Sequence, residues 1–251
     1  MVTDNRILLS FDLSEGPNRP LVRPENPYAA EFWDFQEKVG EEMQSRAIRA
    51  WHYTRLTDAE VAKLRQDGVH LSTPRTLQKR LEALVLEGAL QKSVAEQLFS
   101  ASPFHSDQLK SRSDKFWMVS HPLAVSDGGV KPLMAHWGGE VASMWVKDTS
   151  LLAPLAIAGK PRVLELTVPL SITRHSFCAG KAVVATFGRT LGAIPDKGSF
   201  DLYVTGPLPA EAVVEVHTEG DLAFTDMGRN YPKGYVDVDV GRWKELTGQD
   251  D

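Results

Sequence analysis

The residues most able to do chemistry begin with Trp51-His52-Tyr53-Thr54. On an extended strand, side chains two apart point to one face, so His52 and Thr54 would present an imidazole and a hydroxyl to the same ligand. A second hydroxyl lies in Val69-His70-Leu71-Ser72. Phe116-Trp117-Met118-Val119-Ser120 offers an indole face at Trp117 and a hydroxyl at Ser120. Two carboxylates compete for acid–base work. Glu140 follows Gly138-Gly139, which permits close backbone approach to a ligand. Asp201 opens Asp201-Leu202-Tyr203-Val204, which runs on to Pro207-Leu208-Pro209 and a last strand from Val213. An imidazole, hydroxyls and a carboxylate together suit the binding of a polar ligand and general acid–base help.

These groups need elements to hold them. Ala50 to Thr54 is a candidate strand. Thr57-Asp58-Ala59-Glu60 fits a capping box that starts a short helix, with Val61 and Leu64 as its buried stripe and Gly68 as its stop. The chain then reads as a second strand over Val69–Ser72. Pro74 opens another helix with Leu77, Leu81, Leu84 and Val85 on one face. Residues 88–112 read as helix broken by loops. From 116 the pattern turns β-rich. It gives strands at Phe116–His121, Glu140–Val146, Val163–Leu170, Asp201–Thr205 and Val213–His217, a turn at Ser126–Gly129 and a short helix at Pro132–Trp137. Upstream, residues 6–12 suggest a strand, and Asn26-Pro27 resembles a helix start with Asn as cap. Phe32, Phe35, Val39 and Met43 then recur at helical spacing. This mixture predicts an α+β fold. Residues 1–47 read as an N-terminal extension with one helix, and 48–251 as a single domain.

Composition sets the outer limits. The chain has 251 residues, 42% hydrophobic and 24% charged, enough for a sizeable core. A formal net charge of −5 leaves no broad basic footprint for nonspecific nucleic-acid binding. The single Cys178 excludes an internal disulfide and a cysteine zinc site. The first residues lack signal-peptide order, and no apolar run approaches the roughly 20 residues that span a bilayer. The expectation is a soluble, cytoplasmic protein without membrane contact. Common catalytic motifs are missing. There is no G-x-G-x-x-G, G-x-S-x-G or H-E-x-x-H, and Gly180-Lys181 is followed by Ala182 where a P-loop needs Ser or Thr. The seven histidines show no paired ligand spacing, so no metal is expected.

His52-Tyr53-Thr54, the short capped helix, Gly68 and the Ser72 segment together resemble the opening of the ADP-ribosyltransferase fold. The resemblance is to its His-x-Thr branch, which includes poly-ADP-ribose polymerases, DarT-like enzymes and RNA 2′-phosphotransferases. It spans about residues 49–217. It implies a split β-sheet core with flanking helices and NAD as substrate. His52, Tyr53, Thr54 and Ser72 would hold the ribose and nicotinamide ends, and Arg55 would meet the pyrophosphate. Trp117 and Ser120 stand at the position of the second motif, where the family's usual Tyr is missing. The third motif is a late-strand carboxylate, usually Glu. By chain order it matches Asp201, and by local chemistry Glu140 rivals it.

The reaction so implied breaks the nicotinamide–ribose bond and builds oxocarbenium-like charge, which a carboxylate stabilises. The acceptor would be a protein or nucleic acid, and a toxin or defence role follows from family habit. Two alternatives accompany this reading. One is an RNA 2′-phosphotransferase-like activity, for which Arg112, Lys115 and Arg189 are available to hold a phosphate. The other is a non-catalytic binding module that retains the fold.

Overall fold

The structure is a computed structural model, and it describes residues 27–174, 178–192 and 199–229. The expected strand at 6–12 lies outside them. The first helix, α1, spans Ala29–Met43 with Tyr28 at its N-cap position, so Asn26 is not the cap and Pro27 sits before the helix. Strand β1 (Ala47–Leu56) is longer than the expected Ala50–Thr54 and starts inside the supposed extension. Helix α2 (Asp58–Asp67) carries the expected capping box, with Thr57 accepting from the Glu60 N–H and the Glu60 carboxylate accepting from the Thr57 N–H. Such a cap is worth about 1 kcal/mol. Gly68 follows at φ +81°, and a side chain there would overlap the Leu208 carbonyl.

Val69–Ser72 is not a ladder strand. It makes two isolated bridges, Val69 to Leu208 and Ser72 to Lys115, in the short link between α2 and the next helix. Helices α3 (Pro74–Leu86), α4 (Lys92–Ala101) and α5 (Leu109–Arg112) follow. Then come β2 (Phe116–Val119) and α6 (Lys131–Ala135). The expected strand over Glu140–Val146 is absent. Gly138 (φ +76°) and Gly139 (φ +54°) instead bend the chain into a short 3-10 turn at Gly139–Val141. Next are α7 (Ala153–Ile157), β3 (Lys160–Pro169) and β4 (Thr173–Arg174). Helix α8 (Cys178–Thr190), which the sequence pattern did not suggest, precedes β5 (Asp201–Val204), β6 (Val213–Thr218) and α9 (Leu222–Thr225).

The architecture is α+β, with one six-stranded sheet in the order β4-β5-β2-β1-β3-β6 and every neighbouring pair antiparallel. Alternation gives the sheet two faces. Ala50, Leu56, Met118, Leu164, Leu166 and Leu202 line one, under Val69 and Leu208. Trp51, Tyr53 and Val163 line the other, under Val130, Met134 and Phe224. A separate core joins α3 and α4 to Trp137 and Leu155. Helix α1 docks on α8 through Phe32 and Val184, with Gly180 lying directly against the backbone of Gln36 and Gly40. Among the described residues no helix is long and apolar enough to cross a membrane.

Candidate functional site

The sheet has a seam. Strand β1 pairs with β3 along its whole length, from Ala47↔Pro169 to Leu56↔Lys160, but meets β2 only at Trp51↔Val119. The sheet thus divides into halves, β4-β5-β2 and β1-β3-β6. His52 sits at this seam. Its Nδ1 lies 2.8 Å from the Trp117 carbonyl, and its ring stacks at 4.3 Å on Phe116. A carbonyl only accepts, so Nδ1 carries the hydrogen and Nε2 presents a lone pair. Burial, with Arg80 acting in the same direction, lowers the His52 pKa to about 4 against the opposing pull of the Trp117 bond. The imidazole is therefore neutral at pH 7, with Nε2 able to accept a hydrogen bond.

Thr54 is buried on the His52 face, opposite Arg162 of β3. Arg162 donates to the Leu56 carbonyl at 3.3 Å and the Thr218 hydroxyl at 3.0 Å, and also pairs with Asp58. Ser72 reaches the seam by its backbone. Its N–H donates to the Lys115 carbonyl at 3.0 Å, one residue before Phe116. Other expected ligand-binding groups are committed elsewhere. The Tyr53 phenol is on the opposite face, where it exchanges two 2.7 Å hydrogen bonds with the Leu123 backbone. Arg55, also on that face, donates to the carbonyls of Ala158 (3.1 Å) and Met134 (3.4 Å), which gives it a structural task in place of a pyrophosphate. Trp117 shares that face, with its indole 4.5 Å from the Tyr203 ring. What it gives His52 is its carbonyl. The Ser120 hydroxyl accepts the Phe200 N–H at 2.9 Å and so holds the start of β5.

The two carboxylates are separated. Glu140 pairs with Arg112 at 2.6 Å. Asp201 is exposed at the start of β5, in one row of strand partners, Trp51↔Val119↔Asp201. Two strand spacings put its backbone about 10 Å from that of Trp51. It lies on the Trp51 side of the sheet and His52 points to the other, so a ligand would have to cross the seam to meet both.

A charged group without a sequence motif lies on α3, and its charge favours the neutral His52 ring. Arg80 on α3 donates through Nε to Glu60 at 2.7 Å, and its guanidinium lies 4.5 Å from the centre of the Trp137 ring. Glu60 also accepts the Trp137 indole N–H at 2.8 Å and the Thr57 N–H at 2.9 Å. Burial works to raise the Glu60 carboxyl, but Arg80, Thr57 and Trp137 outweigh it and hold it below the ordinary carboxylate range. One signal for Arg80 was present: with Leu77, Leu81 and Leu84 it occupies the i, i+3, i+4, i+7 stripe of α3, where a charge needs a partner. The phosphate candidates do not converge as a set. Lys115 donates to the Lys110 carbonyl at 2.7 Å and sits over Tyr203, Arg112 is paired with Glu140, and Arg189 is on α8. Among the described residues there is no cluster of three or more His, Cys, Asp or Glu side chains able to hold a metal. Comparison with protein-family models, with curated proteins and with solved structures found no match.

Proposed function

We propose that the chain is an NAD-dependent ADP-ribosyltransferase-like enzyme that transfers ADP-ribose to a protein or nucleic-acid acceptor, as a toxin or defence effector would. The observation that supports this most is His52 at the seam: a neutral imidazole whose Nδ1 is tied to β2, so that Nε2 is left to accept a sugar hydroxyl. Thr54, two residues on, faces the same way. Departure of nicotinamide leaves positive charge on the sugar, which a carboxylate stabilises. Asp201, which ends the row that bridges the seam but lies on the face opposite His52, and Glu140, which is engaged by Arg112, are the two candidates for that role. Orientation of the sugar by His52 lowers the entropic part of the barrier.

The test is nicotinamide release from NAD, with cell extract supplying acceptors, by the wild-type chain and by His52→Ala, Asp201→Asn and Glu140→Gln. Release by the wild type that falls at least about 100-fold in His52→Ala and in one of the two carboxylate variants is expected. Loss in Glu140→Gln with activity kept in Asp201→Asn would assign the carboxylate role to Glu140, and the converse to Asp201. NAD binding without release would make the chain a binding module, and neither binding nor release would refute the reading.

A further inference from the structure

We propose that the carboxylates of Glu215 and Asp221 close the open edge of the sheet to strand addition by a second copy of the chain. The sheet does not close on itself, so β4 and β6 are its two edges. An edge strand with unpaired N–H and C=O groups is a template for another strand. Strand β4 has two residues, too few to serve as one. Strand β6 has six, Val213–Thr218, and Val214 on it is exposed. Of the two edges, β6 is the one that needs covering.

The register of β6 on β3 shows which of its backbone groups face outwards. Arg162 stands opposite Thr218, Val163 opposite His217, Leu164 opposite Val216 and Glu165 opposite Glu215. In an antiparallel ladder, pairs that exchange hydrogen bonds alternate with pairs that do not. One step beyond Thr218, the Glu219 N–H donates to the Pro161 carbonyl at 3.0 Å, so that pair is a bonded one. By alternation His217 and Glu215 bond to β3, while Val216 and Thr218 turn their N–H and C=O groups to the open edge. Both of these N–H groups are already taken. Val216 donates to Glu215 Oε1 at 2.9 Å, and Thr218 donates to Asp221 Oδ2 at 3.2 Å. The Thr218 carbonyl accepts the Asp221 N–H at 3.0 Å. Arg65 of α2 donates to the same Glu215 oxygen at 3.1 Å and so holds that carboxylate in place. Two copies meeting edge to edge about a two-fold axis would oppose the same outward groups. Each would first have to give up these bonds, which removes most of the gain from pairing.

Sedimentation velocity over a concentration series, with amide hydrogen exchange at Val216 and Thr218 read by NMR, tests this on the wild-type chain and two double variants. Glu215→Ala with Asp221→Ala removes both covering carboxylates, and both positions are exposed, so the fold should persist. Self-association should tighten at least about 10-fold relative to the wild type. The Val216 and Thr218 amides should then exchange more slowly as the concentration rises. Glu215→Gln with Asp221→Asn keeps an acceptor oxygen at each place and should stay within about twofold of the wild type. If the alanine pair does not fold, Glu215→Ala alone uncovers the Val216 N–H and should give a smaller shift in the same direction. Unchanged association in the alanine variants would overturn the proposal. So would association that leaves the exchange of these two amides unaltered, since the interface would then lie elsewhere. Equal association by the Gln and Asn pair would also overturn it, because charge, and not the covered N–H groups, would be keeping copies apart. Wild-type dimers that protect Val216 and Thr218 would show an edge already open and would overturn it too.

Discussion

Acidification from pH 7 to pH 5 is expected to destabilise the chain through His52, and the size of the effect follows from its surroundings. The folded pKa is about 4 against an ordinary 6.5, mainly because the ring is buried. Between those values the unfolded chain binds a proton that the folded chain refuses. The stability contributed is complete above pH 6.5 and is lost as the pH falls towards 4. One group with this shift loses about 2 kcal/mol between pH 7 and pH 5, and the ring's partial contact with solvent makes that an upper figure. His52→Gln is the control, since its amide can still donate to the Trp117 carbonyl without titrating. Urea unfolding of both proteins at both pH values isolates the histidine's share, because other groups cancel in the difference. Proton NMR of the imidazole gives the pKa directly. A His52 that titrates between 6 and 7, or equal pH dependence in the two proteins, would refute the neutral-acceptor argument on which the proposed ribose contact depends.

Two further substitutions probe the scaffold. Gly180→Ala places a methyl group against the Gly40 amide nitrogen at 2.7 Å, so α1 and α8 must separate. A loss of about 1–3 kcal/mol in denaturant unfolding is expected, partly offset by alanine's helix preference of roughly 1 kcal/mol, and an unchanged midpoint would contradict the docking described. Glu60→Gln leaves the Arg80 cation beside a neutral amide and should cost about 1–3 kcal/mol at pH 7. Because the Glu60 carboxyl is held below its ordinary range, that cost should shrink as the pH falls through the carboxylate range, which unfolding at a series of pH values would show.

The local elements that could be read from the sequence are those whose signals are short-range. The Thr57–Glu60 capping box and the Leu77, Leu81 and Leu84 stripe each depend on contacts within one turn or one face, and both formed as expected. Long-range competition decided the failures. Glu140–Val146 has the residue types of a strand, but Gly138 and Gly139 adopt positive φ and Trp137 is anchored to Glu60 77 residues away, so the segment turns before it can pair. Helix α8 carries two buried glycines, Gly180 and Gly188. They lower its intrinsic helix preference while Gly180 allows close contact with α1, so packing energy replaces the propensity that a sequence scan looks for.

The candidate site divides along the same line. His52 and Thr54 were legible because period-two alternation fixes their shared face without knowledge of any neighbour. The same alternation, carried into the observed register, puts Tyr53, Arg55 and Trp117 on the opposite face, so residues adjacent in a motif are separated by the thickness of the sheet. Register is not written in a single strand, and the one pair Trp51↔Val119 could not have been chosen in advance. That pair, with Val119↔Asp201, puts Asp201 in the seam's row, while Glu140 lies outside the sheet beside Arg112. It also determines what Trp117 supplies. A search by residue type looks for an indole against nicotinamide, but the group that acts on His52 is a backbone carbonyl, which any residue at that position would provide. The His52 contact therefore constrains position 117 through strand register more than through side-chain identity.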